Sequence, residues 1–377
     1  MTGYGLSVLN KRRDVLSMKA FVFSKSGKVE WREVPQPTLS EPYGAILKPI
    51  LIAPCSSDAH TVYGGSVPKQ ENHVLGHECV ALVTAVASQV RDFAPGEVVA
   101  VPAVTPNWRA LSIQEGNDRH AEDHFSGCRL GRTWPGVFAE YFSVLDADTT
   151  LAKIPDGVSL EQALMSVDMM TTGFTGAESA NIKVGDCVCV IGIGPVGLMA
   201  VAAARHLGAA RIIAVGSRPR CVDLAKRYGA SDVISYKDGN IVELVLDMTD
   251  GVGPDSVIIA GGGDSVFSQA VDMVRYGIGT ISNVNYYGGS GSLGFPKFSG
   301  GRGMAGKTIR TELAKGGRMR VERMMRMIKY GGIDPAPLVT HRFSGFDKLE
   351  EALMLMRDKP SDLIKVVVSV EGEVCDV

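Results

Sequence analysis

The stretch CVCVIGIGPVGLMAVAAARHLG, residues 187–208, decides the fold of this chain. Its first half is an apolar, β-branched run typical of a buried strand, and its second half is rich in helix formers. The halves meet at a G-x-G-x-x-G motif made of Gly192, Gly194, Pro195, Val196 and Gly197, with Ile193 at its second position. The first glycine permits a tight turn, the second lets the backbone approach a pyrophosphate, and the third lets the helix pack on the strand. This strand–turn–helix context predicts a dinucleotide-binding turn rather than an empty structural turn.

Strand and helix patterns continue to alternate after this turn. RIIAVG, DVISY, DSVIIAGG and TISNVNYYG have strand patterns, and helical segments separate them. The alternation predicts βαβ units, and therefore a Rossmann-type doubly wound parallel sheet over residues 171–313. Residues 18–170 have instead the pattern of short strands broken by Gly, Pro and Asp, with an irregular loop at 108–134. We expect residues 314–377 to complete this β-rich domain, and we interpret residues 1–17 as an N-terminal extension.

The end of the second strand favours NADP over NAD. An NAD enzyme would carry Asp or Glu there to bind the ribose diol, whereas this chain has Gly216 followed by Ser217 and Arg218. Glycine makes room for a 2′-phosphate, serine can donate a hydrogen bond, and arginine can present a planar fork of donors. The alternative is that Arg218 only begins a solvated helix. Tyr236, at the end of the third strand, is either an adenine-side contact or a core residue.

A second constellation begins with PCSSDAH, residues 54–60, directly after an apolar run. Cys55 and His60 are candidates for joint metal ligands, since a catalytic zinc takes three N, S or O ligands and keeps one position open. His77 and Glu78, in HVLGHE, add an imidazole and a carboxylate. Asp168, in MSVDMM, is another candidate, although taken alone it is more typical of a helix N-cap.

The remaining cysteines and histidines are interpreted as non-ligands. We expect His73 and the loop residues His120 and His124 at the surface, and Cys187 and Cys189 in the core of a buried strand. Cys128 is the only cysteine of the loop 108–134, which excludes a structural Cys₄ zinc there.

Composition narrows the class of protein. A chain of 377 residues is too long for one compact core, so two domains are expected. A formal net charge of -2 argues against nucleic-acid or anionic-membrane partners, and no window approaches the roughly 18 apolar residues of a transmembrane helix. Seven cysteines without framework spacing indicate free thiols and a reducing, cytoplasmic location. The basic residues at 11–13 leave organelle targeting as the alternative.

Together these pieces resemble the zinc-dependent medium-chain alcohol dehydrogenases, and within them the tetrameric NADP-dependent secondary-alcohol dehydrogenases. The resemblance runs from residue 18 to about residue 368 and rests on APCSSDAHTV, VLGHE, VPAVTPNWR, DMMTTGF, IGIGPVGLMAVA, IIAVGSRP and VNYYG. It implies a GroES-like β-rich catalytic domain beside the Rossmann domain, and a homotetramer. It also implies one catalytic zinc ion, no structural zinc, and NADP(H) as the cofactor.

The same resemblance implies a role for each site residue. Cys55, His77 and Asp168 match the zinc ligands, and Glu78 matches a carboxylate that can join them. Ser57 matches the hydroxyl that passes on the substrate proton, and His60 an imidazole near the outer end of that relay. Asp58 matches a carboxylate that orients the zinc-binding histidine. The residues that match receivers of the 2′-phosphate are Gly216, Ser217, Arg218 and Tyr236.

The implied reaction interconverts small secondary alcohols, such as 2-propanol, and ketones. Zinc would activate the alcohol oxygen, and hydride would pass to the nicotinamide. One departure concerns the size of the pocket: Cys128 stands where many relatives carry a tryptophan, and Trp134 follows in the same loop. The alternatives are a zinc-dependent, sorbitol-like polyol dehydrogenase and a non-catalytic NADPH-binding protein.

Overall fold

The computed structural model describes residues 16–25, 27–64, 72–116, 118–120, 127–288 and 291–371. The strands, numbered in chain order, are Ser17–Lys25 (β1), Lys28–Pro35 (β2), Ala45–Ile52 (β3), His73–Val74 (β4), Cys79–Val86 (β5), Val98–Val101 (β6), Phe142–Val144 (β7), Ala152–Lys153 (β8), Cys187–Ile191 (β9), Arg211–Val215 (β10), Asp232–Ile234 (β11), Ser256–Ile259 (β12), Thr280–Asn283 (β13), Thr308–Thr311 (β14), Val339–Ser344 (β15) and Lys365–Ser369 (β16). The α-helices are Ser56–Tyr63 (α1), Ala147–Thr150 (α2), Leu160–Met165 (α3), Thr171–Ser179 (α4), Pro195–His206 (α5), Pro219–Arg227 (α6), Ile241–Met248 (α7), Ser265–Met273 (α8), Arg318–Gly331 (α9) and Leu349–Asp358 (α10). Most of the expected extension 1–17, and His124, lie outside the described residues.

Six strands form a parallel sheet in the order β11-β10-β9-β12-β13-β14. In its centre Cys189 lies opposite Ile213 on one side and Val257 on the other, and all three are fully buried. Helices α5 and α6 share a core cluster on one face, and α7 and α8 share a different cluster. Helices on both faces explain why these strands are nearly continuous apolar runs. The doubly wound α/β class is therefore confirmed, although Cys187, expected in the core, is partly exposed.

The β-rich part contains a larger, mainly antiparallel sheet. Its order is β15-β16-β3-β5-β6-β8, with β7 also pairing with β3, and a second sheet has the order β2-β1-β4. Strand β3 alternates between buried and half-buried residues, as a sheet with one face on a core requires. The expected GroES-like β-rich domain is confirmed. Strand β16 pairs with β3, so residues 365–369 lie close to the segment that leads to Cys55.

The helical segment 160–179 passes between the two sheets. Leu51 and Val80 of the large sheet share one core with Val188 and Ile258 of the parallel sheet, and residues from 163 to 177 fill that core. A segment packed on both sides has little freedom to move. Within the described ranges, no helix combines the length and the apolar character needed to cross a membrane.

Candidate metal centre and cofactor turn

The start of helix α1 positions the first sulfur of the site. PCSSDAH does not form a polar turn, because α1 begins at Ser56 and Cys55 is its N-cap in an extended conformation. Asp58 lies in the first turn and is buried, and its Oδ2 accepts a hydrogen bond from the Cys55 backbone N–H at 2.9 Å. A carboxylate is favoured near a helix N-terminus. Asp58 therefore fixes the backbone that carries Cys55.

His77 is placed by a glycine and aligned by Asp58. Gly76 has a φ of +92°, and a β-carbon there would lie 2.1 Å from Phe138 Cδ1, so only glycine fits. Nδ1 of His77 lies 3.2 Å from Asp58 Oδ1, which turns Nε2 toward Asp168. Burial lowers the pKa of His77, but Asp58 and Asp168 outweigh this and hold the pKa well above its usual value. The carboxylates of Asp58 and Asp168 therefore stabilise a positive charge at the His77 imidazole.

Asp168 is carried by a π-helical turn, Ser166–Met170, between α3 and α4. Such turns are rare inside helices and are frequent at functional sites. Asp168 Oδ2 lies 3.7 Å from Cys55 Sγ and 3.7 Å from His77 Nε2, and Oδ1 accepts a hydrogen bond from the Thr172 hydroxyl at 2.7 Å. Burial raises the pKa of Asp168, but His77 outweighs this and the pKa is lowered to about 2. The N-cap interpretation of Asp168 is wrong, because the helix continues through this residue.

Glu78 pairs with a lysine that sequence reasoning missed. Lys365 Nζ lies 2.5 Å from Glu78 Oε1, and both side chains are 0% exposed. Burial raises the pKa of Glu78 to about 7 against the opposing effect of Lys365. Burial lowers the pKa of Lys365, but Glu78 outweighs this and the pKa is raised. Glu78 Oε2 is buried and has no hydrogen-bond partner among the described residues. The available signal was a single charge inside the apolar run LIKVVVSV.

The four side chains form a donor set that fits zinc. One ligand atom from each of Cys55, His77, Glu78 and Asp168 lies within 4.8 Å of the others. Tetrahedral ligands at zinc distances stand roughly 3.3–3.6 Å apart, close to the two 3.7 Å separations at Asp168. Sulfur, imidazole and carboxylate are all zinc ligands, and the unpartnered Glu78 Oε2 is one more donor. A thiolate and one carboxylate would balance the charge of the ion.

Ser57 and His60 share helix α1 but have different partners. Ser57 Oγ lies 3.4 Å from His77 Nε2, at the edge of the metal cluster. The His60 ring lies 5.8 Å from the Tyr286 ring, and within the described part of the chain no hydrogen bond joins it to Ser57. Burial lowers the pKa of His60. His60 does not belong to the group that could hold a metal ion, so its position is distinct from that of Cys55.

The glycine-rich turn has the close approach that its sequence implies. A β-carbon at Gly197 would lie 1.8 Å from the Gly192 carbonyl oxygen, so helix α5 can pack on the turn only with glycine there. The helix begins at Pro195, with Gly194 as its N-cap, and Val196 follows in the first turn. The free N–H groups of this helix N-terminus suit a phosphate.

The candidate 2′-phosphate residues follow β10 and β11. A β-carbon at Gly216 would lie 2.2 Å from Ile193 Cγ1, so this glycine is also required for packing. Ser217 is half-buried, and the Arg218 guanidinium donates to the Leu363 carbonyl oxygen beside the glycine-rich turn. Arg218 is thus half-buried and held at the N-cap of α6. Tyr236 is 58% exposed, which excludes the core interpretation.

Two further expectations concern the loop 108–134 and β4. The Cys128 thiol lies near the cluster: burial raises its pKa, and the charges of His77, Asp168 and Cys55 act on it. Trp134 packs on the core of the β-rich domain and donates its N–H to the Ser143 carbonyl at 2.9 Å. His73, expected at the surface, is partly buried, and its enclosed Nε2 has no hydrogen-bond partner in the part of the chain that the structure describes. That expectation is wrong because β4 pairs with β1.

The fold and the cluster define a class of protein, and comparisons agree with it. Residues 41–156 match the family model for the alcohol dehydrogenase GroES-like domain, and residues 195–329 match the one for zinc-binding dehydrogenases. The chain belongs to the zinc-binding alcohol dehydrogenase family, as its sequence predicted.

More specific likenesses lie within that family. The chain is 51% identical to the NADP-dependent isopropanol dehydrogenase of Thermoanaerobacter brockii and 50% identical to that of Clostridium beijerinckii. Both matches cover 93% of this chain and 99% of the relative. Among solved structures, an alcohol dehydrogenase of Thermus sp. ATN1 superposes with a TM-score of 0.81 at 31% identity, covering 94% of this chain and 100% of the other.

Proposed function

We propose that this protein is a zinc- and NADP-dependent dehydrogenase that interconverts small secondary alcohols and ketones. The observation that carries the proposal is the buried cluster of Cys55, His77 and Asp168, with Glu78 beside it and the Ser57 hydroxyl at its edge. The substrate class is supported by two relatives, 51% and 50% identical in sequence to this chain, that are named NADP-dependent isopropanol dehydrogenases.

Each residue of the cluster has a role in this proposal. When bound, zinc would supply Lewis acidity toward the alcohol oxygen, and NADP would supply the hydride acceptor. Cys55, His77 and Asp168 would hold the ion, and Asp58 would keep Nε2 of His77 directed toward it. Glu78 Oε2 could serve as an additional ligand to the ion, because Lys365 binds only Oε1.

The proton released from the alcohol would pass first to Ser57. Its Oγ lies 3.4 Å from His77 Nε2, the nitrogen that faces the cluster, so the hydroxyl stands where an alcohol held there can reach it. Passage from Ser57 to His60 needs a bridging hydroxyl or water, since no hydrogen bond joins them within the described ranges.

Preference for NADP would rest on the segment 216–218. Arg218 offers a guanidinium beside the glycine-rich turn, no carboxylate follows β10, and Ser217 supplies a hydroxyl. Because a charged hydrogen bond contributes about 1.5–3 kcal/mol, Arg218→Gln should raise the KM for NADP by about tenfold or more. The KM for NAD should change little. Arg227→Gln, at an exposed arginine of the same helix, is the matched control and should change neither value.

A panel of alcohols and ketones of graded size, run with both cofactors, tests the proposed reaction. We expect oxidation of 2-propanol and 2-butanol with NADP, slower turnover with NAD, and little oxidation of sorbitol. Zinc content should be about one ion per chain and should fall in Cys55→Ser. Full turnover by the chelated protein or by Cys55→Ser would refute the proposal, and faster turnover of sorbitol than of 2-butanol would refute the substrate class.

We also propose a cytoplasmic homotetramer. The cytoplasm is supported by the six cysteines of the described residues, all of which are free thiols. Self-association is supported by exposed apolar side chains close to the edge strand β14, namely Tyr276, Ile278, Phe295, Phe298 and Met304. Analytical ultracentrifugation should give four times the mass of the chain, and a monomer at micromolar concentration would contradict the assembly.

A further inference from the structure

The two oxygens of the Asp168 carboxylate have different partners. Oδ2 lies 3.7 Å from Cys55 Sγ and 3.7 Å from His77 Nε2, on the side of the metal cluster. Oδ1 accepts a hydrogen bond from the Thr172 hydroxyl at 2.7 Å. The last torsion of an aspartate side chain is broad, so a carboxylate without a fixed partner turns easily. The hydrogen bond from Thr172 therefore fixes the plane of the carboxylate and leaves Oδ2 for the cluster.

The helix places Thr172 and Asp168 on the same face. Thr172 lies four residues after Asp168, and residues four apart are neighbours on a helix surface. The segment 163–177 is buried at every position except these two, which are half-buried. The π-helical turn Ser166–Met170 carries Asp168, and α4 follows it directly with Thr172 in its first turn. Both side chains therefore lie where this core segment opens toward the cluster.

The neighbouring threonines of α4 use their hydroxyls differently. The Thr171 hydroxyl donates to the Ser166 carbonyl oxygen at 2.7 Å, and the Thr175 hydroxyl donates to the Thr171 carbonyl oxygen at 2.9 Å. Such bonds to the preceding turn are usual for threonine inside a helix. The Thr172 hydroxyl donates instead to a side chain, that of Asp168. Its hydrogen bond thus orients a functional group rather than the helix backbone.

Asp58 has a comparable position beside the other two candidate ligands. Its Oδ2 accepts from the Cys55 backbone N–H at 2.9 Å, and its Oδ1 lies 3.2 Å from His77 Nδ1. Partners of this kind orient metal ligands, and their loss typically weakens metal binding about tenfold to a hundredfold. Thr172 stands in the same relation to Asp168, which Asp58 does not contact through any of these hydrogen bonds.

We propose that Thr172 is a positioning residue, which holds Oδ1 of Asp168 so that Oδ2 alone is presented to the metal. This inference rests on the proposed function, because it takes Asp168 as a zinc ligand. It also ties Thr172 to the carboxylate: a cysteine at position 168 would have one ligand atom and no second oxygen to hold. The role of Thr172 therefore exists only while residue 168 is an aspartate.

The affinity for zinc, measured by competition with a chelator, tests this role without any assay of turnover. Thr172→Val keeps the β-branched shape and removes the donor, so the Kd for zinc should rise about tenfold to a hundredfold. Thr172→Ser keeps the hydroxyl and should bind zinc nearly as tightly as the wild type. Thr171→Val is the matched control, because it removes a hydroxyl that donates to the Ser166 carbonyl oxygen of the same segment. It should leave the Kd for zinc unchanged, even where it lowers the Tm.

A double-variant cycle separates positioning of the carboxylate from general damage to the helix. Asp168→Cys replaces the carboxylate by another zinc ligand. In that background, Thr172→Val should change the Kd for zinc little, because the hydrogen bond that it removes is already gone. An equal loss of affinity in both backgrounds would overturn the inference, as would a Thr172→Val protein that binds zinc as tightly as the wild type. A wild-type protein that binds no zinc would instead refute the proposed function itself.

Discussion

Replacing Lys365 with methionine removes the buried cation beside the metal cluster and little else. Methionine keeps the length and the apolar stem of the side chain, so packing is largely preserved. Glu78 Oε1 then loses its partner at 2.5 Å, and Glu78 Oε2 has no hydrogen-bond partner within the described ranges to begin with. The Glu78 carboxylate, which is 0% exposed, is then left without the positive charge of Lys365 to compensate its own.

The expected cost is about 3–5 kcal/mol in the free energy of unfolding, the range for removing one partner of a buried ion pair. Urea unfolding of the chelated protein measures it without interference from metal loss. Tryptophan fluorescence reports on the β-rich domain, because all three tryptophans lie between residues 18 and 170; Trp31, for example, is packed against Phe21 and Phe346. The urea midpoint should fall while the slope with urea stays constant.

A matched control and a double variant separate the ion pair from general damage. Lys226→Met removes an exposed lysine and should change stability by less than about 0.5 kcal/mol. Combining Glu78→Leu with Lys365→Met replaces both charges by apolar groups and should restore most of the loss. The reasoning is refuted by a single-variant cost below about 1 kcal/mol, or by a double variant that costs the sum of its parts.

Two other substitutions test backbone placement and pH dependence. Gly76→Ala should destabilise by more than about 2 kcal/mol, because its β-carbon would lie only 2.1 Å from Phe138 Cδ1 at a residue with positive φ. Gly157→Ala, with a φ of +84° but nothing within 4 Å, should cost clearly less in thermal unfolding, and equal costs would contradict the steric clash at Gly76. For Glu178, burial raises the pKa but the hydrogen bond from Arg320 outweighs this and lowers it. Its stabilising contribution is therefore complete above the unfolded pKa and lost as pH falls through the folded one. The stability difference between the wild type and Glu178→Gln should shrink below about pH 4.5, and urea midpoints that keep a constant difference there would contradict it.

The fold could be predicted because its signals are local. The run at 187–208 contains a strand, a turn and a helix in direct succession, and each later strand and helix shows its own periodicity. The phosphate turn and the absence of an acid at Gly216 are likewise visible within single short segments. Side-chain packing adds constraints that the sequence does not show. One example is the contact with Ile193, which also requires glycine at position 216.

The metal cluster was harder to predict from the sequence, because its residues come together only in the tertiary fold. Asp168 lies 113 residues after Cys55, and its π-helical turn has no signature in MSVDMM, so it was more typical of an N-cap than of a ligand. Lys365 was missed for a related reason. On a half-exposed strand a lone lysine faces water, but Lys365–Val368 are all buried, and no such solvent face exists.

The separation of Glu78 and Lys365 has a consequence for biosynthesis. The two residues are 287 positions apart in the chain, and ribosomes add about 5–20 residues per second. Roughly 15–60 s therefore pass between translation of the acid and translation of its cation. During that interval a nascent β-rich domain cannot enclose Glu78 together with its native counter-ion. The buried ion pair beside the metal cluster forms only after β16 has been translated, although the four residues of the cluster itself all precede residue 169.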